Sequence, residues 1–153
     1  MDVVRSPLPK EFDKISEFIK ELFFESIANL YDNMGREVFL EYIHPIALQE
    51  RFEEVQRFSQ YVVLRQEVLL GWMEVRDDSH ISMLFVHKDY QRRGIGKNLI
   101  QIAIDNAIHT NNQALTLNSS PNSIEAYLTL GFTLLSDLSM INGVKFYEMR
   151  KDL

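Results

Sequence analysis

The sequence predicts a mixed α/β domain with a largely antiparallel sheet. Three observations carry that expectation. Apolar residues in the first third recur at helical spacing. The middle holds three β-branched and aromatic runs separated by short polar breaks. The remainder alternates helix, strand, helix and hairpin signals. The chain of 153 residues is long enough to bury a core without a metal or disulfide staple. With no repeat, linker or low-complexity tract, residues 1–153 read as one domain.

Phe12, Ile15, Phe18, Ile19 and Leu22 form the first apolar stripe, with Lys and Glu between them. Val38, Phe39, Tyr42, Ile43 and Ile46 form the second. Asn33-Met34-Gly35 is expected to be the turn between these helices. His44-Pro45 is expected to kink or break the second one, because proline removes a backbone donor and restricts its predecessor. Tyr61-Val62-Val63-Leu64, the run from Val68 to Val75, and the run from Ile81 to Val86 make a three-stranded meander, broken at Arg65-Gln66-Glu67 and Asp77-Asp78-Ser79. Ile95, Leu99, Ile102, Ala103 and Ala107 lie opposite Asn98, Gln101 and Asp105, an amphipathic helix of about four turns. Ala114-Leu115-Thr116-Leu117 is a short strand. Residues 123–130 form a short helix that stops at Gly131. Two last strands join at Asn142-Gly143, a dipeptide suited to a tight hairpin.

Composition excludes several chemistries. There is no cysteine, so thiolate catalysis, Cys-ligated metal and disulfides are out. The four histidines are scattered without metal-ligand spacing, and no metal is expected. The net charge of −6 argues against nucleic acid or an anionic membrane as partner. No apolar run approaches the roughly 20 residues of a membrane span, and residues 1–7 lack the pattern of a secretory signal. A cytoplasmic protein is expected.

The informative stretch runs from Leu84 to Lys97. An apolar strand enters a polar loop, Gln91-Arg92-Arg93-Gly94-Ile95-Gly96, which opens a helix. Glycine allows sharp turns and close ligand approach. The first amides of a helix have no intrahelical partner, and the helix dipole adds positive character there. Arg92, Arg93 and Lys97 add full charges. Together these suit a phosphate or pyrophosphate, although a tight strand-to-helix turn alone would also use two glycines. The Walker loop is absent, since Asn98 follows Gly96-Lys97. The dinucleotide fingerprint is incomplete, with Leu99 at its third glycine, and a meander is the wrong prelude to a doubly wound sheet.

The loop resembles the Gln/Arg-x-x-Gly-x-Gly/Ala signature of GNAT (GCN5-related) acetyltransferases, and it sits between the same kinds of element. Leu117-Asn118-Ser119-Ser120 followed by Tyr127-Leu128-Thr129-Leu130-Gly131-Phe132 resembles the later strand, helix and Tyr-x-x-x-Gly-Phe ending of that family. The resemblance implies a twisted mixed sheet of about six or seven strands with about four flanking helices. It also implies acetyl-CoA as cosubstrate. Main-chain groups of Phe85 and Val86 would receive the pantetheine arm, with Leu84 also at the cofactor and an amide near Val86 facing the thioester carbonyl. The loop from Gln91 to Gly96, with Ile95 and Lys97, would receive the pyrophosphate. Tyr127 would protonate the departing thiolate. Family members often carry asparagine seven residues before that tyrosine; Ser120 stands there, and Asn118 or Ser119 could supply the contact instead.

Glu74 and His80 are candidate bases, each weighed against a plain surface role. Trp72, Phe23, Phe24, Phe39 and Tyr42 could line an acceptor pocket or simply fill the core. His44 reads as structural; His87 and His109 read as solvated. The function expected from the resemblance is transfer of an acetyl group to an amine of a small molecule or peptide, by direct attack in a ternary complex. Family members modify antibiotics, polyamines, amino acids and protein termini. A non-catalytic acyl-CoA-binding regulator on the same fold is the alternative, and a homodimer is left open.

Overall fold

The computed structural model describes residues 1–153. The first apolar stripe becomes α1 (Phe12–Ser26), which buries Phe12, Ile15, Ile19, Leu22 and Phe23. The second stripe becomes two helices, α2 (Asn33–Tyr42) and α3 (Pro45–Glu53). The break falls where proline was expected to put it. Pro45 occupies the first turn of α3, where a missing N–H costs nothing, and His44 Nδ1 accepts from the Ile46 amide at 3.2 Å. Asn33-Met34-Gly35 is not the inter-helix turn. Asp32 caps α2 by accepting the Gly35 amide at 2.8 Å, which starts the helix early.

The meander is β2 (Phe58–Arg65), β3 (Val68–Arg76) and β4 (His80–Val86). Gln66 and Glu67 both adopt positive φ, 50° and 68°, which makes their two-residue link a type I′ turn. After β4 come α4 (Ile95–His109), β5 (Ala114–Ser119), α5 (Ile124–Thr129), β6 (Thr133–Leu134), β7 (Ser139–Ile141) and β8 (Val144–Asp152). Asn142 and Gly143 make the β7–β8 turn, also with positive φ. A further strand, β1 (Val3–Arg5), pairs with β2.

The sheet order is β1-β2-β3-β4-β5-β8-β6, with β7 paired to β8. Five α-helices and eight strands are present, slightly more than the resemblance implied. The additions are short: β1 has three residues and β6 two.

Both faces of the sheet are covered. One core joins α1 and α3 to the sheet through Ile15, Ile19, Leu48, Val62 and Trp72. The other packs α4 against it through Leu99, Ala103, Leu70, Met73 and Leu115, with Tyr127 of α5 against the same face. The central strand β3 is buried from Leu69 to Val75, which explains why it reads as a continuous apolar run.

One irregularity positions everything that follows. Strands β4 and β5 run parallel but pair only at His80–Thr116 and Ile81–Leu117. Beyond that point β4 continues to Val86 and β5 to Ser119 without contact through hydrogen bonds. On its other edge, β4 pairs Met83 with Glu74 and Ile81 with Val75, so Ser82 is an extra residue, a β-bulge. The bulge bends β4 at the place where β5 leaves it, and a V-shaped gap opens.

Candidate active site

The gap exposes main-chain groups of β4. The His87 amide donates to Leu70 O at 2.8 Å, and Trp72 lies opposite Phe85 in the register. Alternation along an antiparallel ladder then turns the Phe85 main chain toward Trp72 and the Leu84 and Val86 main chains toward the gap. Of the three residues expected to meet a ligand there, Leu84 and Val86 present their backbone. Phe85 contributes its side chain, which packs against the Phe39 ring at 6.2 Å.

At the wide end of the V lies the loop. Gly94 is the N-cap of α4 with φ of +90°, a left-handed conformation that favours glycine. No amide from residue 91 to 97 donates to any group in the protein; the first helical donor is Asn98, to Gly94 O at 2.9 Å. A Cβ on Gly94 would meet nothing within 4 Å, and one on Gly96 would meet only Val86 Cγ2 at 3.8 Å. The concavity above these amides is therefore open. Gln91 Nε2 donates to Val86 O at 3.1 Å and fastens the loop to the end of β4. Arg92, Arg93 and Lys97 are exposed and enter no ion pair. Free amides, a helix N-terminus and unpaired cations on one concave surface fit a pyrophosphate.

From the loop the gap deepens into a cavity of about 400 Å³. Leu84, Phe85, Leu117, Asn118 and Tyr127 line it. An adjoining hollow holding Val86, Gln91, Ser120 and Asn122 shares Leu84, Phe85 and Ser120 with it. The Ser119 side chain is buried and donates to Ser120 O at 2.8 Å, which turns it away. Ser120 Oγ donates to Ser123 Oγ at 3.2 Å. Asn118 is exposed on β5 and keeps its side chain free.

Tyr127 sits on α5 with its ring edge-on to Phe132 at 5.8 Å. The turn that ends α5 needs Gly131, whose φ is +92°, and the Phe132 amide donates back to Tyr127 O at 3.0 Å. The Tyr127 hydroxyl has no hydrogen-bond partner, and burial pushes its pKa up to about 12. It is a protonated phenol at neutral pH.

The structure does not bring the two candidate bases into the cavity. His80 stands at the closed end of the V, where Nδ1 shares a hydrogen bond with Thr116 Oγ1 at 2.8 Å. Burial first, and then the charge of Arg76, lower its pKa. Glu74 lies near the end of β3, two residues before Arg76, but is fully buried. Arg51 Nε donates to both of its oxygens at 3.2 and 3.0 Å, Gln60 Nε2 at 2.9 Å, Tyr42 OH at 2.6 Å and Ser82 Oγ at 2.9 Å. The last two donors do line the cavity. The sequence could not show this arrangement, because Tyr42, Arg51 and Gln60 come from three different elements. Desolvation, and then the charge of Glu74, push the Tyr42 phenol up to about 12. Among the aromatics, Phe39 and Tyr42 line the cavity, Trp72 and Phe23 are core, and Phe24 is exposed. No group of three or more His, Asp or Glu side chains is arranged to hold a metal. No helix is long and apolar enough to cross a membrane.

A strand pair that splays beside a glycine-containing helix N-terminus is the arrangement that the resemblance to GNAT acetyltransferases implies. The comparisons give the family. The acetyltransferase (GNAT) domain model matches residues 26–153, and the chain belongs to that family. Among solved structures, a GCN5-related N-acetyltransferase from Rhodopseudomonas palustris is 23% identical over 100% of this chain and 96% of its own, with a TM-score of 0.79. The PaiA N-acetyltransferase from Thermoplasma acidophilum, solved in complex with coenzyme A, is 16% identical over 100% and 99%, with a TM-score of 0.83. The yncA protein from Salmonella typhimurium, solved with its cofactor acetyl-CoA, is 15% identical over 99% and 94%, with a TM-score of 0.70. No curated protein matches the sequence.

Proposed function

We propose that the whole chain is one cytoplasmic N-acetyltransferase domain that moves the acetyl group of acetyl-CoA to a primary amine. The observation that carries this reading is the run of undonated amides from residue 91 to 97 at the mouth of a gap that leads to a cavity lined by Tyr127. The loop and its three cations hold the pyrophosphate. The backbone of Leu84 and Val86 receives the pantetheine arm as a strand would be received, and an amide there faces the carbonyl oxygen as charge grows on it. Asn118 and Ser120 are placed to add side-chain contacts. The bound cosubstrate supplies an activated thioester.

Reaction then needs two proton movements. The amine must lose a proton to attack, and the departing sulfur must gain one. Tyr127 donates the second, since its raised pKa keeps the proton in place until a thiolate forms beside it. The Tyr127→Phe variant is expected to lose about 10- to 1000-fold in kcat with little change in KM for acetyl-CoA. Wild-type turnover in that variant, measured where chemistry limits the rate, would return Tyr127 to a packing role.

For the first proton, neither candidate base reaches the cavity directly. Glu74 acts through the hydroxyls that donate to it. The amine nitrogen gives a proton to the oxygen of Tyr42 or Ser82 as that hydroxyl passes its own to Glu74. With a pKa of about 12, Tyr42 serves as a relay and not as a free phenolate. The rate should rise with pH as the amine deprotonates. Tyr42→Phe should move that rising limb, and an unchanged pH profile in Tyr42→Phe and Ser82→Ala together would eliminate the relay.

Attack is direct. No cysteine is present to carry an acetyl group. Varying both substrates should give intersecting lines in an assay that reads free CoA across an amine panel. Parallel lines with a trapped acetylated residue would overturn the ternary complex.

A further inference from the structure

The cavity continues past Tyr127 to an end that the donor does not need. Its far wall is built from α2 and the β7–β8 hairpin. Tyr31 pairs with Val144 in an isolated bridge, and the Asp32 amide donates to Gly143 O at 3.0 Å, tying the two together. Tyr31 and Phe39 meet edge-on at 6.1 Å, and Phe39 stacks on the buried Phe23 at 4.3 Å, so these rings are held in place.

The charges at this end are unusual for a site that takes an amine. No carboxylate lines the cavity, and its one charged side chain is Lys145, exposed and without an ion pair. Two carboxylates stand behind the wall: Glu74 already receives Arg51, Gln60, Tyr42 and Ser82, and Asp32, which lies against Gly143, receives the Gly35 amide that caps α2. The ring of Tyr42 already carries the Arg51 guanidinium at 3.6 Å from its centroid, so a second cation on that ring would meet a like charge. Glu41 belongs to a neighbouring hollow and is exposed, where water screens it. A second positive charge in the cavity would therefore meet no carboxylate in the lining and would face the like charge of Lys145. The hydroxyls of Tyr42 and Ser82 are committed as donors to Glu74 and can only accept from the reacting nitrogen.

Resting on the acetyltransfer reading above, we infer that the acceptor is a primary monoamine with an apolar, ring-sized body and no second positive charge. Its amine sits at Tyr42 and Ser82, and its body lies against Tyr31, Phe39 and Val144. Polyamines and other polycations are poor acceptors, despite the negative net charge of the chain.

The test compares phenethylamine with spermidine, in the wild type and in Lys145→Glu, reading free CoA from acetyl-CoA. In the wild type kcat/KM should favour phenethylamine by at least about 30-fold. Lys145→Glu turns the only charge in the lining negative and should narrow that gap by at least about 10-fold. Equal or better use of spermidine by the wild type overturns the inference, as does a gap that Lys145→Glu leaves unmoved. Calorimetry with the CoA-loaded protein separates this from failure of the acetyltransfer reading. If no amine releases CoA, that reading fails. The inferred site then stands if phenethylamine binds and spermidine does not, and falls if neither binds or the order is reversed.

Discussion

Gly94→Glu is expected to weaken acetyl-CoA binding about 1000-fold, or roughly 4 kcal/mol, in a protein that still folds. Two effects add. Position 94 has a φ of +90°, so any side chain strains the backbone by about 1–2 kcal/mol. A Cβ built there meets no protein atom within 4 Å, so the new side chain extends into the open concavity without disturbing the core. It would then put a negative charge among the amides of residues 91–97, where the pyrophosphate is proposed to lie. Gly94→Ala isolates the strain and should lose far less affinity. Isothermal calorimetry on both variants, with thermal melts to check folding, decides the matter. Unchanged affinity in a folded Gly94→Glu protein would remove the loop from the cofactor site.

The same loop shows what a sequence can reveal about a site and what it cannot. The loop geometry at residues 91–96 was legible because a run of free backbone amides opening a helix is marked by glycines one residue apart. The packing of Tyr127, as distinct from its proposed role, was legible for a similar reason: the Gly131 that ends its helix and the Phe132 that packs on its ring follow at fixed spacing. The meander announced itself through β-branched runs and polar breaks. Strands β1 and β6 did not, because edge strands of three and two residues carry no periodicity. The Asn33-Met34-Gly35 segment looked like a turn by composition, and the Asp32 cap overrode that preference. Roles that depend on tertiary contact were hidden. Glu74 reads in the chain as one polar residue in an apolar strand. Only the fold shows that it is fully buried and that helix α3 delivers a guanidinium to it. His80, likewise, is separated from the cavity only by which end of the V it occupies.

That burial makes Glu74 the position of largest expected effect on stability. Glu74→Leu should destabilise the protein by about 3–5 kcal/mol, the usual consequence of removing one member of a buried ion pair. The Arg51 side chain is only 11% exposed and would keep its charge without a counter-ion. Tyr42, Ser82 and Gln60 would lose an acceptor at once, and Gln60 Oε1 already lacks a partner. Replacing Arg51 as well should relieve most of this, because the stranded charge goes with it. Glu74→Leu/Arg51→Met is therefore expected to recover to within about 1–2 kcal/mol of the wild type. Urea denaturation of the two variants at neutral pH measures both differences, and a single variant within about 1 kcal/mol of wild type would show that the pair is not the anchor it looks to be. The double variant also separates the two roles given to Glu74. If the carboxylate only braces Tyr42 and Ser82, restored stability should bring restored turnover. If it takes the amine's proton through them, the double variant should be folded, bind acetyl-CoA normally and still turn over slowly, with the rising limb of its pH profile displaced.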